Sequence, residues 1–270
     1  MDAYLDALEK EMTQCKEWLA GKQMVSVYVG GGTPTSLSEE QFERLMAMTE
    51  KYLPMEQSKE FTVEAGRPDS ITEGKLRSMK THGVTRISIN PQSMKEHTLK
   101  LLGRKHTVEE IREKFMLART LGFDNINMDL IAGLPEETLE DFKETLREVE
   151  ALKPDSITVH TLVIKRASRL RKEQLEQGGE MREEDACIEP MQKEAEQFCR
   201  VHGYEPYYMY RQKNKAHTTR NTNQENVAYA KPGKECLYNM LIMEELETIV
   251  ALGSGASTKI VYPGENRMER

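Results

Sequence analysis

The feature that most restricts the fold is a regular alternation of strand and helix patterns. Five short segments are predicted as strands, each followed by apolar residues at helical spacing: 25–29, 61–65, 86–90, 125–131 and 156–163. Repeated strand–helix units are typical of a parallel sheet flanked by helices. The chain itself opens on a helical pattern, so we expect that the strand and loop which should precede that helix are missing from it.

Helix boundaries are marked by capping and stop residues. Three pairs are spaced as capping boxes: Ser38 with Gln41, Thr107 with Glu110, and Thr138 with Asp141. Glycine or proline closes the predicted helices at Gly21, Pro54, Gly83, Gly122 and Pro154. The last long helix of the series is predicted over residues 183–202.

Three of the predicted strands carry polar residues on one face and apolar residues on the other. The polar faces are Ser88, Asn90 and Gln92; Asn125, Asn127 and Asp129; and Thr158 and His160. A parallel strand covered by helices on both sides should be apolar throughout, so a shared polar face indicates a curved sheet around a polar interior. We therefore predict a partial barrel with its site at the carboxyl ends of the strands, and we expect Gln92 and Asp129 to face that interior.

The pattern changes after Gly203. Residues 204–210 are aromatic and strand-like, 213–226 are polar without periodicity, 235–247 are helical, and 253–257 reads GSGAS. The polar stretch is predicted as a loop or a disordered segment. We therefore divide the chain into a barrel domain of residues 1–203 and a smaller C-terminal α+β region of residues 204–270.

The charge, the apolar content and the cysteine spacing argue against several classes of function. The formal net charge is −7 with both signs interspersed, so no basic field points to nucleic acid or to a membrane surface. The sequence shows neither a long apolar run nor a leader-like N-terminus, and the cytoplasm is the expected location. Cys15, Cys187, Cys199 and Cys236 form no closely spaced pair, so the residues predict no metal site within this chain.

The segment 25–35 reads VSVYVGGGTPT, a strand that runs into three glycines. It matches neither a P-loop, which ends in Gly-Lys-Ser/Thr, nor the dinucleotide fingerprint, in which a helix opens on the third glycine. Two interpretations remain open. In the first, the bare backbone binds an amino or carboxylate group edge-on. In the second, the glycines are present because a turn needs their conformational freedom.

Several motifs follow one another in order along the chain. GGGTPT is followed by FTVEAGRPD, ISINPQSM, GRKH, MDLIAGLP, YRQKN, KPGKEC and GSGAS. Together, from Met1 to about Pro263, they resemble the radical S-adenosylmethionine (SAM) superfamily, in particular the oxygen-independent coproporphyrinogen III oxidase (dehydrogenase) family. The resemblance implies an α/β fold, a partial (β/α)6 radical SAM barrel that here lacks its first strand and cluster-binding loop.

The resemblance implies contacts with the methionyl part of SAM. Gly31, Gly32 and Thr33 would line this part of the cofactor, and Glu64 would place a carboxylate near its ammonium group and ribose. Arg104 would pair with the methionyl carboxylate, a charge-assisted contact. Taken from the residues alone, Glu64 and Arg104 could equally form an ordinary ion pair.

The resemblance also implies contacts with the nucleoside part of SAM. Gln92 and Asp129 would hydrogen-bond the ribose hydroxyls, and the main chain of Leu162 would back the adenine. The alternative for Asp129 is a helix-capping carboxylate at the turn around Leu134. No catalytic residue is assigned.

Two departures from the family pattern matter. The C-x-x-x-C-x-x-C loop that holds a [4Fe–4S] cluster is absent from the sequence, and we expect it in the missing first strand–loop unit. A chain without this loop would bind no cluster and would be inactive alone. Many relatives carry His-Asn where this chain has Tyr238 and Asn239, which leaves the tetrapyrrole substrate open.

The resemblance implies an oxidoreductase of haem biosynthesis. The intact protein would use SAM and a [4Fe–4S] cluster for the oxidative decarboxylation of coproporphyrinogen III to protoporphyrinogen IX. It would be a monomer with a small-molecule tetrapyrrole substrate and a flavodoxin- or ferredoxin-type electron donor. The alternatives are a haem-binding carrier on the same scaffold, an inactive SAM-binding fragment, and a cofactor-free barrel lyase, for which the sequence shows no paired carboxylates or strand-end lysine.

Overall fold

The structure is a computed structural model that describes residues 1–161, 188–211, 225–262, 264–265 and 267–269. Within these ranges, every helix is too short or too polar to span a bilayer. In chain order the elements are α1 (Asp2–Leu19), β1 (Ser26–Val29), α2 (Glu39–Tyr52), β2 (Glu60–Gly66), α3 (Glu73–Thr81), β3 (Arg86–Ile89), α4 (Glu96–Leu101), α5 (Val108–Thr120), β4 (Ile126–Ala132), α6 (Leu139–Leu152), β5 (Ser156–Thr161), α7 (Ile188–Val201), β6 (Glu205–Arg211), β7 (Glu225–Ala230), α8 (Leu237–Glu244), β8 (Ile260–Tyr262) and β9 (Arg267–Glu269).

The predicted strand–helix alternation is confirmed, with small shifts at the ends of the elements. At Ser38 and Thr138 the side chain accepts the N–H of the third helical residue, whose own side chain accepts the N-cap N–H. Thr107 and Glu110 make the same reciprocal pair. All three capping boxes therefore satisfy backbone donors that a helix start leaves unpaired. The predicted helical residues 183–187 and strand residues 162–163 lie outside the described residues.

The chain forms two compact units. Unit 1 comprises Met1–Ile89, Glu113–Ile126 and Cys236–Arg270, and unit 2 comprises Asn90–Arg112 and Asn127–Glu235. The C-terminal segment belongs to unit 1 because residues at the start of α8 contact β1 and β2. These boundaries differ from the sequence-based division at residue 203, which stays a prediction.

In unit 1, β1, β2 and β3 are parallel neighbours, with Tyr28 opposite Thr62 and Thr62 opposite Arg86. This register places the alternating residues of the three strands on two common faces. One face is apolar and buried, with Val27, Phe61, Val63, Ala65, Ile87 and Ile89. The other face of β2 carries Glu60, Thr62 and Glu64, so β2 also has a polar face.

In unit 2, β4 and β5 are parallel, β7 runs antiparallel to β5, and β6 runs antiparallel to β7, in the order β4-β5-β7-β6. Strand β7 corrects the sequence-based loop over residues 213–226, because the strand already begins at Glu225. Its sequence ENVAYA has one β-branched residue, and pairing on both sides overrides that low strand propensity. Ala228 and Ala230 are fully buried between these neighbours.

His82 joins α2 and α3 in unit 1 through two carboxylates. Its Nε2 lies 2.9 Å from Glu43 Oε1 and its Nδ1 lies 2.6 Å from Glu50 Oε2. Burial alone would lower the pKa of His82, but the two hydrogen bonds outweigh it and raise the pKa above its ordinary value. Both ring nitrogens face acceptors, so the imidazolium is the form that this arrangement stabilises.

We expect His82→Gln to destabilise the protein at low pH and to have little effect at high pH. A raised folded-state pKa means that the stabilisation is complete below the unfolded pKa of about 6.5 and is lost as the pH rises through the folded value. Because the two carboxylates are half-exposed, we expect His82→Gln to lower the free energy of unfolding at pH 6 by about 1 kcal/mol. Thermal melts at pH 6 and pH 9 measure it.

His97→Gln is the matched control, because His97 makes one exposed pair with Glu136. Its melting temperature should follow that of the wild type at both pH values. Equal destabilisation of His82→Gln at pH 6 and pH 9 would show that packing, and not the charged pair, holds α2 against α3.

Candidate functional site

The three glycines after β1 each have a different structural setting. A Cβ on Gly30 would lie 2.5 Å from the Tyr28 ring and 2.8 Å from Glu64 Cδ, so these side chains leave no room for it. Gly31 has a φ of +86°, in the left-handed region that favours glycine. Gly32 lies outside that region, and a Cβ there would meet no atom within 4 Å. Neither a turn nor packing accounts for Gly32, whose backbone is exposed.

The exit of the glycine loop is anchored by Thr35, which is fully buried. Its hydroxyl donates to the carbonyl of Ala65 at the end of β2. The ammonium group of Lys75 donates to the Thr35 carbonyl at 2.7 Å, and burial lowers the pKa of Lys75. The second threonine of GGGTPT is therefore structural, whereas Thr33 is half-buried and its methyl group packs over Gly66.

Glu64 lies near the end of β2, beside the glycine loop. The hydroxyl of Tyr28 donates to Glu64 Oε1, and the Tyr28 ring stacks on Tyr238 with the ring centroids 4.3 Å apart. Unit 1 therefore places Glu64 against Gly30, the residue just before the predicted Gly31, Gly32 and Thr33. Tyr28 and Tyr238 were not predicted as site residues. Tyr28 lies two residues before Gly30, and this strand spacing could have indicated that it faces the same side. No local pattern indicates Tyr238.

Below Glu64 on the same face of β2, Glu60 caps the start of α8. The backbone N–H groups of Leu237 and Tyr238 donate to its carboxylate at 2.8 and 3.1 Å. The side chain of Glu60 is buried. A carboxylate at a helix N-terminus is stabilised by the unpaired N–H groups and by the helix dipole, so this buried charge holds α8 on β2.

In unit 2 the polar face of β4 and β5 is hydrogen-bonded internally. Asn127 Oδ1 accepts from Ser156 and Thr158, at 2.9 and 3.0 Å, and Asn127 Nδ2 donates to Asp129 Oδ1 at 2.6 Å. His160 Nε2 lies 3.7 Å from Asp129 Oδ2. The predicted polar face of these strands is thus confirmed as one continuous set of side chains, and Asp129 belongs to it. The opposite face is buried and apolar, with Met128, Leu130, Ile157 and Val159.

Gln92 is held beside Asp129 by the backbone. Its N–H donates to the Asp129 carbonyl at 2.9 Å, and its carbonyl accepts from Ile131 at 3.0 Å. Its φ of 69° is uncommon for a residue other than glycine. The two backbone bonds hold this conformation, and strained residues of this kind concentrate at binding sites. Unit 2 therefore brings Gln92 and Asp129 together.

Other contacts connect ISINPQSM with the turn after MDLIAGLP. The Ser93 hydroxyl donates to Glu137 Oε1, and the backbone N–H of Met94 donates to Thr145 at 3.2 Å. Burial raises the pKa of Glu137. Within unit 2, Glu137 therefore acts as a buried tie between the segment that contains Ser93 and the turn before α6.

Two further predicted binding residues are Arg104 and Leu162. Arg104 is half-buried in the loop after α4, where its N–H donates to the Leu99 carbonyl at 2.9 Å. Leu162 lies outside the described residues. The roles implied for both, and for the other six residues, stay predictions.

Among the described residues, no three metal-binding side chains lie close enough to hold one metal ion. Cys199 and Cys236 are buried, and burial raises the pKa of these thiols to about 12 and about 11. Thiolates are the form that binds iron. The described cysteines therefore do not fit an iron–sulfur cluster.

We expect the chain to retain no cluster after anaerobic reconstitution with iron and sulfide, because the sequence has no closely spaced cysteines. Iron and sulfide analysis after gel filtration measures this, with a sample that received no iron as the control. About four irons per chain would contradict the expectation.

Comparison with known proteins adds sequence and fold relationships. The radical SAM superfamily profile matches residues 3–149. The chain is 45% identical over 262 residues to the oxygen-independent coproporphyrinogen-III oxidase-like protein HemZ of Bacillus subtilis, covering 96% of this chain and 51% of that protein. It is 37% identical over 165 residues to the heme chaperone HemW of Bacillus subtilis, covering 61% of this chain and 43% of that protein. The chain thus spans about half the length of these curated relatives.

Among solved structures, coproporphyrinogen III oxidase (HemN) from Escherichia coli aligns with a TM-score of 0.74 at 24% identity, covering 95% of this chain and 57% of that one. The predicted α/β fold class, that of the radical SAM partial barrel, is confirmed by this alignment. The superfamily implies SAM and a [4Fe–4S] cluster as cofactors. The chain belongs to the radical SAM superfamily and is similar in sequence to the oxygen-independent coproporphyrinogen-III oxidase-like protein HemZ.

Proposed function

We propose that this chain is the SAM-binding part of a radical SAM oxidoreductase of tetrapyrrole metabolism. The observation that carries the proposal is the 45% identity to the HemZ oxidase-like protein, which extends over 96% of the chain. When bound, SAM would provide the chemistry of the reaction, which is the removal of a hydrogen atom from an unreactive carbon. The protein residues contribute binding, orientation and exclusion of water.

Unit 1 fits the amino-acid end of SAM. The open space over Gly32 leaves its backbone accessible to a ligand. The half-buried Glu64 offers a carboxylate, which would accept a charge-assisted hydrogen bond from an ammonium group. In this proposal Gly31, Gly32 and Thr33 bind the methionyl part and Glu64 binds its ammonium group.

Unit 2 supplies groups that suit a nucleoside. A carboxylate and an amide can accept from and donate to ribose hydroxyls, and a backbone hydrogen bond joins Gln92 to Asp129. Arg104 is proposed as the partner of the methionyl carboxylate, and the main chain of Leu162 as the contact of the adenine. Family membership supports these last two assignments.

The iron–sulfur cluster of the superfamily, unlike SAM, is not assigned to described residues of this chain. The described cysteines do not fit it, so no step of the reaction is assigned to cluster chemistry on this chain. A flavodoxin- or ferredoxin-type donor and a monomeric state belong to the proposal for the intact protein.

The proposed reaction of the intact protein is the oxidative decarboxylation of coproporphyrinogen III to protoporphyrinogen IX. A second candidate is a haem carrier, because the chain is also 37% identical to a protein named as a heme chaperone.

Tetrapyrrole binding tests the proposal. Under anaerobic conditions we expect the chain to bind coproporphyrinogen III, more tightly with SAM than without it, in equilibrium dialysis. Gly32→Val should remove the dependence on SAM and serves as the control. Stoichiometric haem binding, seen as a Soret band, without coproporphyrinogen III binding would replace the oxidase proposal by the carrier. Calorimetry that detects no SAM binding would overturn the proposal as a whole.

A further inference from the structure

We propose that Tyr28 is a positioning residue that orients the Glu64 carboxylate for SAM, and that the start of α8 fixes Tyr28 through Tyr238. The inference rests on the proposed function, in which Glu64 binds the ammonium group of SAM. It adds two aromatic residues to the site, one of them from the C-terminal segment.

The first contact is between neighbouring parallel strands. Tyr28 lies opposite Thr62 in the register of β1 and β2, so its ring shares a face with Glu64, two residues further along. The phenol donates to Glu64 Oε1. A tyrosine hydroxyl on one carboxylate oxygen restricts the rotation of the side chain and stabilises its ionised form.

Gly30 makes this contact possible. The position that a Cβ would occupy on Gly30 is 2.5 Å from Tyr28 Cε1 and 2.9 Å from Glu64 Oε2. The ring and the carboxylate therefore meet directly over the Cα of Gly30. The first glycine of GGGTPT therefore leaves room for the Tyr28–Glu64 pair. The left-handed turn follows one residue later, at Gly31.

The second contact fixes the ring of Tyr28. Tyr238 stacks on it with an interplanar angle of 21°. The backbone N–H of Tyr238 donates to Glu60 Oε1 at 3.1 Å, and the side chain of Glu60 is only 5% exposed. A series of contacts thus runs from the buried Glu60 through Tyr238 and Tyr28 to Glu64, all within unit 1.

A carboxylate held in one orientation loses less conformational entropy when the ligand binds. Removing the Tyr28 hydroxyl should therefore weaken SAM binding about threefold to tenfold. A purely structural role of Tyr28 would lower stability and leave the SAM affinity of the folded protein unchanged, so the two roles predict different affinities for phenylalanine at this position.

The experiment measures SAM affinity by calorimetry and stability by thermal melts for the wild-type chain, four single variants and one double variant. Tyr28→Phe should lose affinity about threefold to tenfold, and its melting temperature should fall only by the amount that one lost hydrogen bond explains. Tyr238→Phe keeps the stack and should match the wild type, whereas Tyr238→Ala should lose affinity. In the Glu64→Gln background, adding Tyr28→Phe should have little further effect, because the two residues act as a unit.

The outcomes separate the inference from the proposed function. Wild-type binding of SAM with equal affinity for Tyr28→Phe would overturn the positioning role and leave the proposed function intact. Full additivity of Tyr28→Phe and Glu64→Gln would overturn it as well. No SAM binding by the wild type would overturn the proposed function and, with it, this inference.

Discussion

Gly32→Val should reduce the affinity for SAM at least about tenfold, a loss of about 1.4 kcal/mol or more, while the protein stays folded. The space that a side chain would enter at Gly32 holds no protein atom within 4 Å. Its φ also lies outside the left-handed region, so valine should cost about 1 kcal/mol of stability at most. If a ligand lies along this backbone, the branched side chain takes its place. Calorimetric titration with SAM and thermal melts of the same variant measure both quantities.

Gly83→Ala is the control for a glycine required by conformation. Gly83 has a φ of +76°, and a Cβ there would also meet no atom within 4 Å. Alanine should cost about 1 kcal/mol through backbone strain and leave SAM affinity unchanged. The opposite result for Gly32→Val, lost stability with intact affinity, would show that Gly32 serves the backbone and not a ligand.

Glu60→Ala should lower the free energy of unfolding by about 3 kcal/mol, because it removes a buried charged acceptor from the N-terminus of α8. The N–H groups of Leu237 and Tyr238 lose their partner, as does the thiol of Cys236, whose sulfur lies 3.6 Å from the carboxylate. The melting temperature should fall by roughly 6–12 °C for a chain of this size. Denaturant unfolding and thermal melts measure the loss.

Glu56→Ala is the matched control, since Glu56 is exposed just before β2. Its effect on stability should stay within about 0.5 kcal/mol. Glu60→Gln keeps one acceptor and removes the charge, so it should fall between the wild type and Glu60→Ala. A Glu60→Ala protein as stable as the wild type would mean that α8 is held by apolar contacts and not by this cap.

The helix starts could be predicted from sequence because their signals are local. A capping box needs a hydroxyl and an acidic or amide side chain three positions apart, and the pair at Ser38 and Gln41 behaves as predicted. The polar face of β4 could be predicted for a similar reason, since alternate residues of any strand point to the same side. Asn127 and Asp129 are hydrogen-bonded as that alternation implies.

Strand β7 could not be predicted, because its stability does not come from its own residues. The sequence ENVAYA is a weak strand former, yet it pairs with β5 on one side and β6 on the other. Cross-strand packing decides such cases. The separate reasons for the three glycines could not be predicted either. The sequence shows only that glycine is conformationally free, and not which of the three positions needs that freedom.

By itself, the sequence determined the alternation of strands and helices, the helix boundaries, and the ordered motifs that point to the radical SAM superfamily. These properties depend on residues within a few positions of one another, or on motif order. Only the tertiary structure decided that Gly30 accommodates Tyr28 and Glu64, which are 36 positions apart, and that Glu60 caps a helix beginning next to Cys236, 176 positions away. A buried carboxylate destabilises a fold when it lacks donors and stabilises it when donors reach it, and the donors for Glu60 come from a distant part of the chain.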